Sequence, residues 1–338
     1  MSRMIRFHKF GDADVLQYEE VPTPVPGPGE VLVRVQAVGL GWKDVLWRQN
    51  LAAEQAKLPA GTGFELAGTV AALGDGVSDF EVGTAVAGFP ASTPNRYPTW
   101  GDLVLMPSHA LTRYPEVLSP VEASVHYTSL LFGYLALNDL AHLKPGQHVL
   151  ITEASHCMAP QTVQLAKALG AKVIVSTSSA DDREFLRGLG ADKVIATEEQ
   201  DLVLEVERYT EGKGVEVILD QCAGPQMKLL GDIAAPRGKL ILYGINGGND
   251  TAFPACAAFK KHLQFFRHCV LDFTGHSELG IEQDEHAVQR ALDHINALTA
   301  KGLLKPRVDK TFPFEEFAES HRYMEACPDR GRVALTLE

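Results

Sequence analysis

The chain has 338 residues, 45% hydrophobic and 22% charged, with 43 acidic against 31 basic side chains and a formal net charge of -12. Length and composition describe a globular protein of about two domains and exclude a disordered or fibrous one. The acidic surplus argues against nucleic acid or an anionic membrane as partner, since both call for basic patches.

No apolar run reaches transmembrane length. The opening segment, Met1 to Phe10, lacks the apolar core of a signal peptide. Five cysteines, an odd number without close pairing, fit a reducing cytoplasm better than a disulfide framework.

Residues 1 to about 120 read as short strands broken by Gly and Pro. Residues 22–30 are proline-rich and extended, and Val31 to Val38 alternates as a half-buried strand does. Gly63 to Val70 and Val82 to Phe89 are further strand candidates, separated by a turn at Gly74 to Gly76. From about residue 122 strands alternate with helices. The strands are Val149–Thr152, Lys172–Ser176, Lys193–Ala196, Val215–Leu219 and Lys239–Tyr243, and the helices between them run to Leu169, Leu189, Thr210 and Ala234. That spacing predicts a parallel, doubly wound sheet. Beyond about 266 a long amphipathic helix carries Val288, Ala291, Ile295 and Leu298 on one face. A helix near Glu315–Cys327 and a closing strand, Arg332–Leu337, complete the chain.

The segment from Val149 to Ala171 has the frame of a dinucleotide-binding strand, turn and helix, but Ala154, His156 and Ala159 stand where G-x-G-x-x-G has glycines. His156 puts a ring at the middle position, and Pro160 removes a possible phosphate donor from the helix's first turn. Two readings follow. Either a dinucleotide still binds along Ala154, Ser155, His156, Cys157, Met158 and Ala159, or the scaffold persists without it and serves as a ligand-binding or non-redox protein. The second strand ends in Ser176, Thr177, Ser178 and Ser179 with Arg183 nearby, and not in the acidic residue that reads a ribose 2′-hydroxyl. This leans towards NADPH, with NADH as the other option.

The whole chain resembles the medium-chain dehydrogenase/reductase superfamily, most of all its zinc-independent quinone and enoyl reductases. The resemblance rests on residues 26–35 (PGPGEVLVRV), 63–70 (GFELAGTV), 143–151 (LKPGQHVLI), 165–171 (LAKALGA), 189–195 (LGADKVI) and 235–240 (APRGKL). It implies an α/β protein with an N-terminal GroES-like β-barrel domain, 1–121 and 267–338, and a Rossmann doubly wound parallel sheet, 122–266. Zinc members carry catalytic ligands at positions that are Gly41 and Phe64 here, and the first cysteine is Cys157, so neither zinc site is expected. A metal-free site favours hydride transfer to carbon of a quinone or α,β-unsaturated carbonyl.

The resemblance also places Lys43 and Asp44 beside the nicotinamide, with Lys43 as a candidate proton source and a surface lysine paired with Asp44 as the plainer alternative. Trp42 and Trp47 line a flat pocket or belong to the core. Where relatives present a threonine this chain has Leu131, and Tyr127 is a second candidate proton donor, with His126 and Thr128 on the same helix. Tyr243 and Gly244 are expected at the cofactor. Asp182 and Thr197 depart from the lysine and tyrosine of similar NADPH reductases. Leu263 to His268 resembles the edge strand through which such reductases form homodimers, Leu263 to Phe266 being its apolar part.

Overall fold

The computed structural model describes residues 1–52, 54–326 and 332–337. Among the described residues of the first third of the chain there are eight strands: β1 (Ser2–Phe7), β2 (Leu16–Val21), β3 (Glu30–Leu40), β4 (Ala60–Gly61), β5 (Leu66–Leu73), β6 (Ala85–Gly88), β7 (Leu103–Pro107) and β8 (Leu111–Arg113). Six follow in the middle: β9 (His148–Ile151), β10 (Lys172–Thr177), β11 (Lys193–Ala196), β12 (Val215–Asp220), β13 (Ala234–Leu242) and β14 (Gln264–Arg267). Two close the chain, β15 (Val308–Pro313) and β16 (Arg332–Thr336). The polypeptide divides into one unit of Met1–Thr128, Val270–Ala300 and Pro306–Glu338, and another of Ser129–Cys269 with Lys301–Lys305.

In the first unit β2, β1 and β4 form a small antiparallel sheet, and a larger sheet runs β15-β16-β3-β5-β6-β8 with β7 also on β3. Along β3, Val33, Val35 and Ala37 face the core while Arg34 and Gln36 face water, the period-two pattern of a half-buried strand. The strand expected from Gly63 begins only at Leu66. Gly63 has φ +93°, and a Cβ there would lie 2.1 Å from the Trp100 ring, so the backbone turns at that point. Likewise Gly83, at φ +90°, delays the next strand to Ala85. The long C-terminal helix, Glu285–Ala300, buries Val288, Ala291, Ile295 and Leu298. Its follower spans Phe317–Ala326, and Cys327 lies outside the described residues.

The second unit is a six-stranded sheet in the order β11-β10-β9-β12-β13-β14, parallel throughout. Its strands are continuous apolar runs because both faces are covered. Val149, Ile151, Val173, Val175, Val217 and Leu219 enter one core with Val163, Ala166 and Leu186 from the helices Ala159–Ala168 and Arg183–Gly188. Leu150, Ile174, Ile195 and Ile218 enter the other with Val206, Met227 and Leu230 from the helices Leu202–Tyr209 and Met227–Ile233. The order reverses between β9 and β12, whose following helices lie on opposite faces. This is the topological switch point, where open α/β sheets bind ligands beyond the carboxyl ends of their strands.

Candidate functional site

At that switch point the ends of β9 and β12 are tied together. Thr152 Oγ1 donates to Asp220 Oδ1 at 2.7 Å, and Asp220 also accepts the N–H groups of Cys222 (3.2 Å) and Ala223 (2.9 Å). Gln221 donates from Nε2 to the Glu153 carbonyl at 2.7 Å. Asp220 has no exposed surface, and burial raises its carboxyl against the pull of these donors. Burial likewise pushes the Cys222 thiol up to about 12, which leaves it a poor nucleophile. Asp220, Gln221 and Thr152 are structural to the site and were not singled out by sequence reasoning. Their signal was only the polar residues ending two buried strands.

The Ala154–Pro160 turn departs from the expectation in an instructive way. The left-handed residues are Glu153 (φ 45°) and Cys157 (φ 49°), while Ala154, His156 and Ala159 have no positive φ. Glycine's dihedral freedom is therefore not needed at the three substituted positions. Ala154 (0% exposed) and Ala159 (1% exposed) are packed in the core, and the His156 ring is half-buried. Ala159 gives its N–H to the His156 carbonyl, and Pro160 has none to give. The turn still opens onto the amino end of the ten-residue helix Ala159–Ala168, whose dipole favours an anion. The helix amino end is thus retained at this turn, with fewer donors than a glycine-rich turn supplies.

At the end of β10 the Thr177 hydroxyl and several backbone donors already have partners within the protein. Thr177 Oγ1 donates to Asp182 Oδ2 at 2.7 Å and accepts the Ser179 N–H at 3.3 Å. The Ser178 N–H goes to Glu153, the Ser179 hydroxyl accepts the Asp181 N–H, and Arg183 is paired with Glu199 at 2.7 Å. The lean towards NADPH rested on these hydroxyls and on Arg183 nearby, and here Thr177 and Arg183 are engaged with side chains of the protein itself. At the end of β13, Tyr243 donates its N–H to the Asp220 carbonyl, and its ring packs on Phe132 at 4.4 Å. Gly244 has to be glycine because a Cβ there would lie 2.4 Å from the Gln221 carbonyl oxygen.

The first unit carries the other candidates. Lys43 is exposed, with Nζ 4.3 Å from the centroid of the Phe64 ring. Asp44 is buried and accepts the Gly41 N–H at 2.9 Å, capping the helix Trp42–Arg48, so the Lys43–Asp44 surface pair is not formed. Trp47 is a core residue, 1% exposed, bonded through Nε1 to the Gly61 carbonyl. Glu65 is ion-paired with the buried Arg332.

Tyr127 is 1% exposed, donates to Asn296 Oδ1 at 2.5 Å, and burial pushes its hydroxyl far up. It is placed as a tether between helices and not as a proton donor. His126 bonds Thr299 at 2.8 Å and is held neutral, its pKa lowered to about 3 by burial. Leu131 is wholly buried. Among the described residues no group of three or more His, Cys, Asp or Glu is placed to hold a metal ion. No helix among them is long and apolar enough to cross a membrane.

A parallel sheet with this strand order, accompanied by a mostly antiparallel β unit built from the N- and C-terminal parts of the chain, defines a dehydrogenase-type oxidoreductase fold. Residues 27–108 match the alcohol dehydrogenase GroES-like domain and residues 161–279 the zinc-binding dehydrogenase family. The chain is 30% identical over 340 residues to the synaptic vesicle membrane protein VAT-1 homolog of Rattus norvegicus, covering 96% of this chain and 82% of that protein. It is also 30% identical to a 2-haloacrylate reductase of Burkholderia sp, covering 97% of each. The structure of Escherichia coli quinone oxidoreductase complexed with NADPH superposes with a TM-score of 0.84 at 25% identity, over 99% of this chain and 100% of that one. The chain belongs to the medium-chain dehydrogenase/reductase superfamily and is an oxidoreductase.

Proposed function

We propose that this protein is a zinc-independent reductase that takes a nicotinamide dinucleotide, NADH or NADPH, and reduces a quinone or an α,β-unsaturated carbonyl compound. The observation that carries the reading is the β11-β10-β9-β12-β13-β14 order, with a turn of ordinary dihedrals at the three substituted glycine positions opening onto a helix amino end. The bound cofactor supplies the hydride. The pyrophosphate is held by the backbone of His156, Cys157 and Met158 with the Ser155 hydroxyl, and Tyr243 and Gly244 border the same strand ends.

Lys43 is the proton source and stabilises the oxygen that gains charge as the conjugated system is reduced. The Phe64 ring keeps its ammonium group in place. Gly41 and Phe64 bear no metal-ligating atoms at the positions that hold zinc in zinc members, so the hydrogen-bonding and charge of Lys43 take the polarising role. The protein works as a homodimer joined through Leu263 to Phe266 and the β14 edge, in the cytoplasm. The relatives named as a quinone oxidoreductase and a 2-haloacrylate reductase support the substrate class. The test is dinucleotide titration followed by oxidation of the reduced cofactor in the presence of quinones, enones and haloacrylates. Binding without turnover on any of these would remove the substrate assignment.

A further inference from the structure

The strongest feature outside that reading is the carboxylate collar around the end of β10. The Ser178 N–H donates to Glu153 Oε2 at 3.1 Å, the Ala180 N–H to Glu198 Oε1 at 2.6 Å, and the Thr177 hydroxyl to Asp182 Oδ2 at 2.7 Å. The nearby guanidinium, Arg183, is neutralised by Glu199 at 2.7 Å and also bonds Gln200. Four carboxylates therefore accept from residues 177–183, Glu199 alone pairing with the guanidinium, and these donors are already spent on them.

In a doubly wound sheet of this order the end of the second strand is where the adenosine ribose lies, and an acidic group there reads the 2′-hydroxyl. Here the acid is absent from β10 itself and arrives instead from the β9 turn, through Glu153, and from the segments after β10 and β11, through Asp182 and Glu198. A 2′-phosphate in this collar meets like charge, and the Ser178 and Ala180 N–H groups and the Thr177 hydroxyl are already bonded to carboxylates. A 2′-hydroxyl, which is neutral and can donate to a carboxylate, meets neither obstacle.

We propose that Glu153, Asp182 and Glu198 make this protein selective for NADH over NADPH. The inference rests on the dinucleotide-binding reading above and adds the residues that choose between the two. Nothing about it requires catalysis.

The experiment is isothermal titration of the full-length protein with NADH and NADPH at low and at high salt. The expected result is NADH tighter by about tenfold or more at low salt, with the gap narrowing as salt screens the collar. The variant Glu153→Gln/Asp182→Asn/Glu198→Gln keeps an acceptor for each donor and removes three charges, and its NADPH-to-NADH affinity ratio is expected to rise several-fold. If that variant does not fold, the parent's salt dependence carries the test alone. NADPH binding as tightly as NADH, or an affinity gap indifferent to salt, overturns the selectivity. Binding of neither overturns the dinucleotide reading beneath it, so the two failures are told apart.

Discussion

Lys43 Nζ lies 4.3 Å from the centroid of the Phe64 ring, and Trp47 meets the same ring edge-on at 6.0 Å between centroids. A cation on an aromatic face at an exposed position gains about 0.5–1 kcal/mol, enough to favour one orientation of a flexible side chain. Phe64, one of the two positions that the family resemblance ties to zinc ligands, thereby supports the ammonium group. If Lys43 supplies the proton, Lys43→Met should lower kcat/KM for enone or quinone reduction by roughly 100-fold or more. Its dinucleotide affinity, measured by titration, should stay at the parent value. Undiminished turnover in Lys43→Met would remove Lys43 from the chemistry.

Asp220 holds the switch point together by accepting from Thr152, Cys222 and Ala223. Asp220→Ala leaves three donors without their acceptor in a buried site, and unsatisfied buried groups cost about 1–3 kcal/mol each. The variant should lose about 3 kcal/mol or more in chemical denaturation. It should also lose dinucleotide affinity, because the β9 turn is then held to β12 without the Thr152–Asp220 bond. A loss below about 1 kcal/mol would show that water or a shifted backbone takes over these bonds.

Burial raises the Asp44 carboxyl to about 6, against the opposing pull of the Gly41 N–H, Arg332 and Lys43. The folded state then binds this proton more tightly than the unfolded chain between about pH 4 and pH 6. Protonated Asp44 favours the fold below that window, and the advantage is lost as pH rises through about 6. His126 and His321, both lowered to about 3 by burial, have the opposite slope and lose stability as pH falls. Asp44→Asn keeps both histidines and an acceptor for Gly41, so the difference between variant and parent isolates Asp44. The parent should weaken relative to the variant by up to about 3 kcal/mol as pH rises across the window. Parallel stability curves would contradict this.

Much of the fold was legible because parallel strands buried on both faces write themselves as short apolar runs, and Lys193–Ala196 fell on β11 at both ends. The amphipathic stripe of the long C-terminal helix was equally plain. The site was less so, for reasons of distance and dihedral angle. That the left-handed backbone sits at Glu153 and Cys157, and not at the substituted glycines, is a property of the folded turn. The reach of Glu153 to Ser178, 25 residues on, and of Tyr127 to Asn296, 169 residues on, leaves no periodic trace in the chain. The Thr177 hydroxyl, read as part of a phosphate pocket, is the partner of Asp182, and the Ser178 N–H beside it is the partner of Glu153.

β14 closes one edge of the parallel sheet, with Phe265 and Phe266 half-buried along it. An apolar edge of this kind invites pairing. Light scattering should give a dimer for the parent, and Phe266→Lys should shift it towards monomer without unfolding it. A monomeric parent would refute the dimer.

The central claim is that a turn without glycine at Ala154, His156 and Ala159 still receives a reduced nicotinamide dinucleotide. Its most direct test is titration of the purified protein with NADH and NADPH, followed by thermal shift and nicotinamide fluorescence. The account predicts saturable binding of NADH, with His156→Gly binding it more tightly as the ring is cleared from the turn. No saturable response to either dinucleotide at concentrations on the order of millimolar, well above the range of a working cofactor site, would contradict it.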